Sequence, residues 1–179
     1  MLKISNSALV IIDVQGKLAS LIENRELLFD NISRMIQGMK LLDIPMIITE
    51  QRPEKLGPTV PELANLITGI APITKVSFSC CGNTTFIETL NALNRKQILV
   101  AGIETHVCVY QTVVDLIQFD FEVYVIADAV SARANINHLY GLDRMKSEGA
   151  ILSTAELALF ECIRTSSDER FREMIKIVK

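Results

Sequence analysis

Apolar runs of strand length alternating with helical stretches predict an α/β fold on a mostly parallel sheet for this 179-residue chain. Three observations carry that expectation. Short continuous apolar segments recur, as they do in strands buried on both faces. Between them lie segments whose apolar residues fall at helical spacing. The composition, 49% hydrophobic with only 8 Gly and 5 Pro, excludes a disordered or collagen-like chain.

Ser7-Ala-Leu-Val-Ile-Ile-Asp13 is the first apolar run and ends in a carboxylate. Residues 26 to 42 then set Leu28, Ile32, Met35, Ile36, Met39 and Leu42 on one helical stripe. Pro45 to Thr49 reads as a second strand, and Glu50 to Pro61 as an irregular loop with three prolines and a glycine. Ala71 to Val76 is a weaker strand, followed by a helix over Phe86 to Leu93. Gln97 to Ile103 is a strong strand, and the helix after it runs through Gln118 with Val109, Val113, Leu116 and Ile117 facing inward. Glu122 to Ala127 is the next strand, ending at Asp128. A helix over 137 to 147, a short strand at Ala150 to Ser153 and two terminal helices complete the chain. The last helix carries Phe171, Met174, Ile175 and Val178 on one face, which packs it.

No repeat or linker divides the chain, so residues 1 to 179 are expected to form a single domain. A chain of this length buries roughly 70% of its unfolded surface. With 18 basic against 21 acidic residues, the formal charge of −3 gives no electrostatic reason to expect nucleic acid or an anionic membrane. Four cysteines, two of them adjacent at Cys80 and Cys81, do not form a secreted disulfide framework. No signal peptide or membrane span is visible, so a soluble cytoplasmic protein is expected. A mean hydropathy of +0.30 points to apolar surface covered by another subunit, hence a homo-oligomer.

Several motifs are absent. There is no Gly-x-Gly pair for a dinucleotide, no phosphate-binding loop and no Gly-x-Ser-x-Gly elbow. The two histidines, His106 and His138, have no short-spaced second ligand, and neither a metal nor another cofactor is expected. Cys80 and Cys81 read as plain loop or core thiols, and Cys162, on an apolar face with Leu159, likewise.

In open parallel sheets, ligands bind beyond the carboxyl ends of the strands. That rule selects Asp13, Glu50 and Gln51, Lys75, Gly102 to Glu104, Asp128 and, just past the fourth strand, Cys108. Gly102-Ile-Glu-Thr-His-Val-Cys108 is the most informative segment. It predicts a helix start with Thr105 as N-cap, where the helix dipole lowers the Cys108 thiol pKa and free N–H groups can hold an oxyanion. Asp13 must be solvated, paired or functional, because burying it alone is too costly. It either pairs structurally with Lys75 or serves with it to activate Cys108.

These segments, Ala8 to Gln15, Thr74-Lys75 with Phe78, Gly102 to Val109 and Val125 to Ala129, resemble in order those of the isochorismatase-like cysteine hydrolases. That superfamily includes nicotinamidases and carbamoylsarcosine amidases. The resemblance implies a Rossmann-like three-layer α/β/α sandwich around a six-stranded mostly parallel sheet. It places the catalytic triad on Asp13, Lys75 and Cys108, and a cis peptide at Ile103–Glu104. Substrate contacts would come from Gln51, Phe78 and the Glu104 backbone N–H as an oxyanion donor. The stretch Thr49 to Pro61 contains none of the histidines that hold metal in nicotinamidases, so metal-independent cleavage of a small-molecule amide is expected. Isochorismatases proper lack the cysteine, and the loop most resembles the isochorismatase-domain-containing subgroup. Two further readings remain open. The chain could be a non-catalytic small-ligand-binding or scaffold protein that keeps the fold, with an unreactive Cys108. Alternatively, Cys80 or Cys81 could be a redox-sensing thiol.

Overall fold

A computed structural model describes all 179 residues. The strands are β1 (Ser7–Ile12), β2 (Met46–Gln51), β3 (Ile73–Lys75), β4 (Gln97–Ile103), β5 (Glu122–Ser131) and β6 (Ile151–Ser153). The helices are α1 (Gly16–Ser20), α2 (Arg25–Leu41), α3 (Pro53–Leu56), α4 (Pro61–Ala64) and α5 (Thr84–Ala92), then α6 (Tyr110–Gln118), α7 (Asn135–Ser147), α8 (Ala155–Ile163) and α9 (Phe171–Val178). No helix is long and apolar enough to cross a membrane.

All six strands are parallel, in the order β3-β2-β1-β4-β5-β6. Strand alternation explains the layering. Leu9 and Ile11 of β1, with Leu99, Ala101 and Ile103 of β4, join a 29-residue apolar cluster shared with α1, α2, α4, α8 and α9. Ala8, Val10 and Ile12, with Ile98 and Val100, join an 18-residue cluster under α5, α6 and α7. The three-layer α/β/α sandwich follows from these two faces, as expected from the sequence.

The winding reverses between β1 and β4, which are direct neighbours. Chains leaving their carboxyl ends turn to opposite sides, opening the crevice typical of such switch points. Gly102 lets the two strands come this close: its φ is +122°, and a Cβ there would sit 2.1 Å from the Ile12 carbonyl oxygen.

The structure corrects several sequence expectations. β5 does not end at Asp128 but continues to Ser131 past a register shift opposite Val100 and Gly102, a β-bulge. The Glu50–Pro61 segment is not all loop, because Pro53 starts the short α3. Gly16–Ser20, with no helix expected, forms α1. The helix after β4 begins as a π-helical turn over Thr105–Val109, with the Val109 amide reaching back to the Glu104 carbonyl at 3.3 Å. Thr105 therefore caps nothing. Its hydroxyl instead meets Nδ1 of His138 at 3.0 Å.

Candidate active site

Asp13, Lys75 and Cys108 converge at the carboxyl ends of β1, β3 and β4. Asp13 leaves β1 with φ +53°, a left-handed conformation that turns the chain away from the strand. Its Oδ2 lies 2.6 Å from Nζ of Lys75, and the two side chains are 2% and 0% exposed. Oδ1 accepts a 2.8 Å hydrogen bond from the Thr49 hydroxyl, and the Asp13 amide donates to the Thr49 carbonyl at 3.2 Å. Burying both charges is tolerable only because each is paired and hydrogen-bonded.

Lys75 is held on all sides. Its three N–H groups donate to Oε1 of Gln51 at 2.9 Å and to the carbonyls of Ser77 at 3.1 Å and Phe78 at 2.9 Å, while Oδ2 of Asp13 faces the charge without accepting a hydrogen bond. Gln51 completes the brace by donating from Nε2 to the Val76 carbonyl at 2.7 Å. Gln51 and Phe78, expected at the substrate, thus touch the site through the lysine, Phe78 by its carbonyl alone, and Phe78 is 54% exposed.

Cys108 is buried within the π-helical turn. Its thiol is pushed up to about 12, first by burial and then by the Asp13 charge and hydrogen bond, against the opposing pull of Lys75. The expected lowering by a helix end is therefore overturned. The cysteine sits inside a π-turn rather than at an α-helix N-terminus, and desolvation with a neighbouring carboxylate outweighs the dipole. Asp13 is thus both a charged neighbour and a hydrogen-bond partner of the thiol.

Glu104, beside the nucleophile turn, follows a cis peptide after Ile103. Its carboxylate is buried and takes hydrogen bonds from the Arg133 amide at 3.0 Å and from Arg133 Nε at 3.0 and 3.1 Å. A guanidinium nitrogen of Arg133 stands 3.0 Å away as well. Burial pushes the Glu104 carboxyl up, but the Arg133 hydrogen bonds and charge outweigh it and hold the group below its ordinary value. A carboxyl lowered in the fold stabilises above its ordinary pKa of about 4.3, and the contribution is lost as pH falls through the lowered value. Arg133→Ala is therefore expected to shift the acid-unfolding midpoint to higher pH, followed by circular dichroism between pH 2 and 6. An unchanged midpoint would mean that the half-exposed arginine contributes nothing.

The remaining strand-end residues stand apart from this cluster. Glu50 binds the amide and hydroxyl of Thr59, each at 2.7 Å, and so pins the 52–60 loop. Asp128 accepts from the Ala155 amide at 2.9 Å at the start of α8. A groove of about 660 Å³ lined by Gly16, Phe29, Pro58 and Glu62 contains none of Asp13, Lys75 and Cys108. No group of three His, Cys, Asp or Glu side chains is placed to hold a metal ion. Sequence reasoning missed Thr49, Arg133 and the place of Cys80, whose thiol lies 3.7 Å from the Thr49 hydroxyl.

Comparison with known proteins decides the family. The family model of the Isochorismatase domain matches residues 7–156. The chain belongs to the isochorismatase family. A mouse relative, isochorismatase domain-containing protein 2A, is 37% identical over 175 residues, covering 97% of this chain and 83% of the relative. Among solved isochorismatase-like structures, MAR1 ribonuclease from Caenorhabditis elegans superposes with a TM-score of 0.93 at 35% identity, covering 99% of this chain and 91% of that one. YcaC from Escherichia coli, described as an octameric hydrolase of unknown specificity, gives 0.89 at 26% identity, covering 99% and 86%. Membership in the isochorismatase family carries the fold and a hydrolase-like character.

Proposed function

We propose that the chain is a metal-independent cysteine hydrolase that cleaves a C–N bond of a small amide. One observation carries this reading: the Cys108 thiol stands against a buried Asp13–Lys75 pair, its lysine held by Gln51, Ser77 and Phe78, at a strand-end crevice. Asp13 takes the Cys108 proton as the sulfur adds to the amide carbonyl carbon, forming a tetrahedral oxyanion. The Glu104 amide, which donates to no group of the protein, and the Cys108 amide receive that charge. Collapse breaks the C–N bond while Asp13 returns the proton to the departing amine, leaving a thioester. Water then adds with Asp13 as base, the acid leaves, and the proton goes back to sulfur.

Lys75 orients Asp13, Gln51 holds Lys75, and Phe78 borders the substrate. Residues 1 to 179 act as one domain, with no cofactor, in the cytoplasm. The formal charge of −3 supports a small molecule over nucleic acid or an anionic membrane. The octameric character of the E. coli neighbour and the exposed Ile136, Leu139 and Tyr140 of α7 support a homo-oligomer.

The test is incubation with a panel of small primary amides, followed by acid quenching and peptide mass spectrometry. Ammonia release with acyl mass on the Cys108 peptide is expected, and both should vanish in Cys108→Ala. Turnover that survives Cys108→Ala would overturn the mechanism. RNA cleavage without amide turnover would favour the activity named for the C. elegans neighbour.

A further inference from the structure

Behind the Asp13–Cys108 pair, a run of buried polar groups joins the carboxylate to the backbone of the cysteine. The Thr49 hydroxyl donates to Oδ1 of Asp13 at 2.8 Å. The Cys80 thiol donates to that hydroxyl oxygen at 3.7 Å. The Cys80 amide donates to the Thr112 hydroxyl oxygen at 3.0 Å, and Thr112 donates to the Cys108 carbonyl at 2.7 Å. Thr49, Cys80 and Thr112 are each 0% exposed.

Each hydroxyl therefore has its acceptor lone pair engaged from one side and its proton committed to the other. Burial pushes the Cys80 thiol up to about 11, against the pull of Lys75, so it remains a donor throughout the neutral range. A hydroxyl whose oxygen already accepts from Cys80 is steered to place its proton on Asp13.

We propose that Thr49 is a positioning residue: its hydroxyl, oriented by Cys80, fixes the Asp13 carboxylate and sets its basicity toward Cys108. Donation to the ionised carboxylate favours that form over the protonated one. Asp13 is thereby kept free to receive the thiol proton and cannot rotate away from it. The device rests on the hydrolase reading above and deepens it.

The titratable groups facing Asp13 are Lys75 from β3, Cys108 from the π-turn and Cys80 from the 3₁₀ turn at Cys80–Gly82. Glu50 on Thr49's own strand is turned to Thr59, and Glu104 to Arg133. Removing the Thr49 donor thus leaves the charged neighbours of Asp13 in place, which makes the effect readable.

The experiment is a carbon-detected NMR titration of the Asp13 carboxyl in the full chain. Thr49→Val is expected to raise its midpoint by about one pH unit, the size of a lost hydrogen bond to a charged group. Thr49→Ser, which keeps the donor, should restore it. A purely structural threonine would move neither. If Thr49→Val does not fold, Cys80→Ala decides, with a smaller upward shift expected. An unmoved midpoint in the folded variant overturns the proposal. Failure of the underlying reading shows separately, as wild-type amide turnover in Asp13→Asn.

Discussion

Lys75→Met is expected to lower the folding free energy by about 3 to 5 kcal/mol, the usual consequence of removing one partner of a buried ion pair. Methionine fills most of the lysine volume, so little of the loss comes from a cavity. What remains is a carboxylate at Asp13 that is 2% exposed and has lost its 2.6 Å counter-ion. The Gln51 oxygen and the carbonyls of Ser77 and Phe78 also lose their donor. Urea denaturation followed by circular dichroism at pH 7 measures the effect. The Asp13→Asn/Lys75→Met double variant should recover a large part of it, because the unpaired charge is then gone. A single-variant loss below about 1 kcal/mol would mean that the pair behaves as a solvated surface bridge.

The second large effect separates thiol ionisation from turnover. The Asp13 charge raises the Cys108 thiol and the Lys75 charge lowers it. Asp13→Asn therefore removes the raising charge and leaves the ammonium as partner for a thiolate. Alkylation of Cys108 by iodoacetamide at pH 7 should accelerate about tenfold or more, since each unit of lowered pKa is tenfold in thiolate. Amide turnover should nevertheless fall by at least about a hundredfold, because no group is left to carry the proton to the amine. In Lys75→Met the alkylation rate should move the other way. Peptide mass spectrometry at Cys108, set against Cys80, Cys81 and Cys162, reads these changes. Slower alkylation in Asp13→Asn would contradict the electrostatic assignment. Equal rates at all four cysteines in every variant would favour the non-catalytic binding protein.

The central strands were legible in the sequence because β1 and β4 are hydrophobic runs buried on both faces, and β4 has the bounds expected from Gln97 to Ile103. Strand-end position likewise marks Asp13, Lys75 and Cys108 in the sequence. What stayed hidden is non-local or shorter than a helical period. The bulge in β5 carries the strand past a polar Asp128, where hydrophobic patterning stops. Thr105 reads as a cap because its partner, His138 on α7, is distant in the chain. The Cys108 thiol is raised for a related reason: burial and the Asp13 carboxylate, both products of tertiary packing, outweigh the local effect of a helix end. Thr49 and Cys80 resembled ordinary core residues, and only their mutual contact marks them.

The sheet order has a consequence for how the chain acquires its chemistry. Asp13 sits at the end of a central strand, whereas Lys75 comes from β3, the three-residue edge strand reached after two crossovers. Contacts this distant in sequence close late, after much of the loop entropy has been overcome. A nascent or partly unfolded chain therefore carries Cys108 without its counterpart carboxylate and cation. Its reactivity is then that of an ordinary thiol, so the alkylation signature of Cys108 doubles as a clock for the completion of folding.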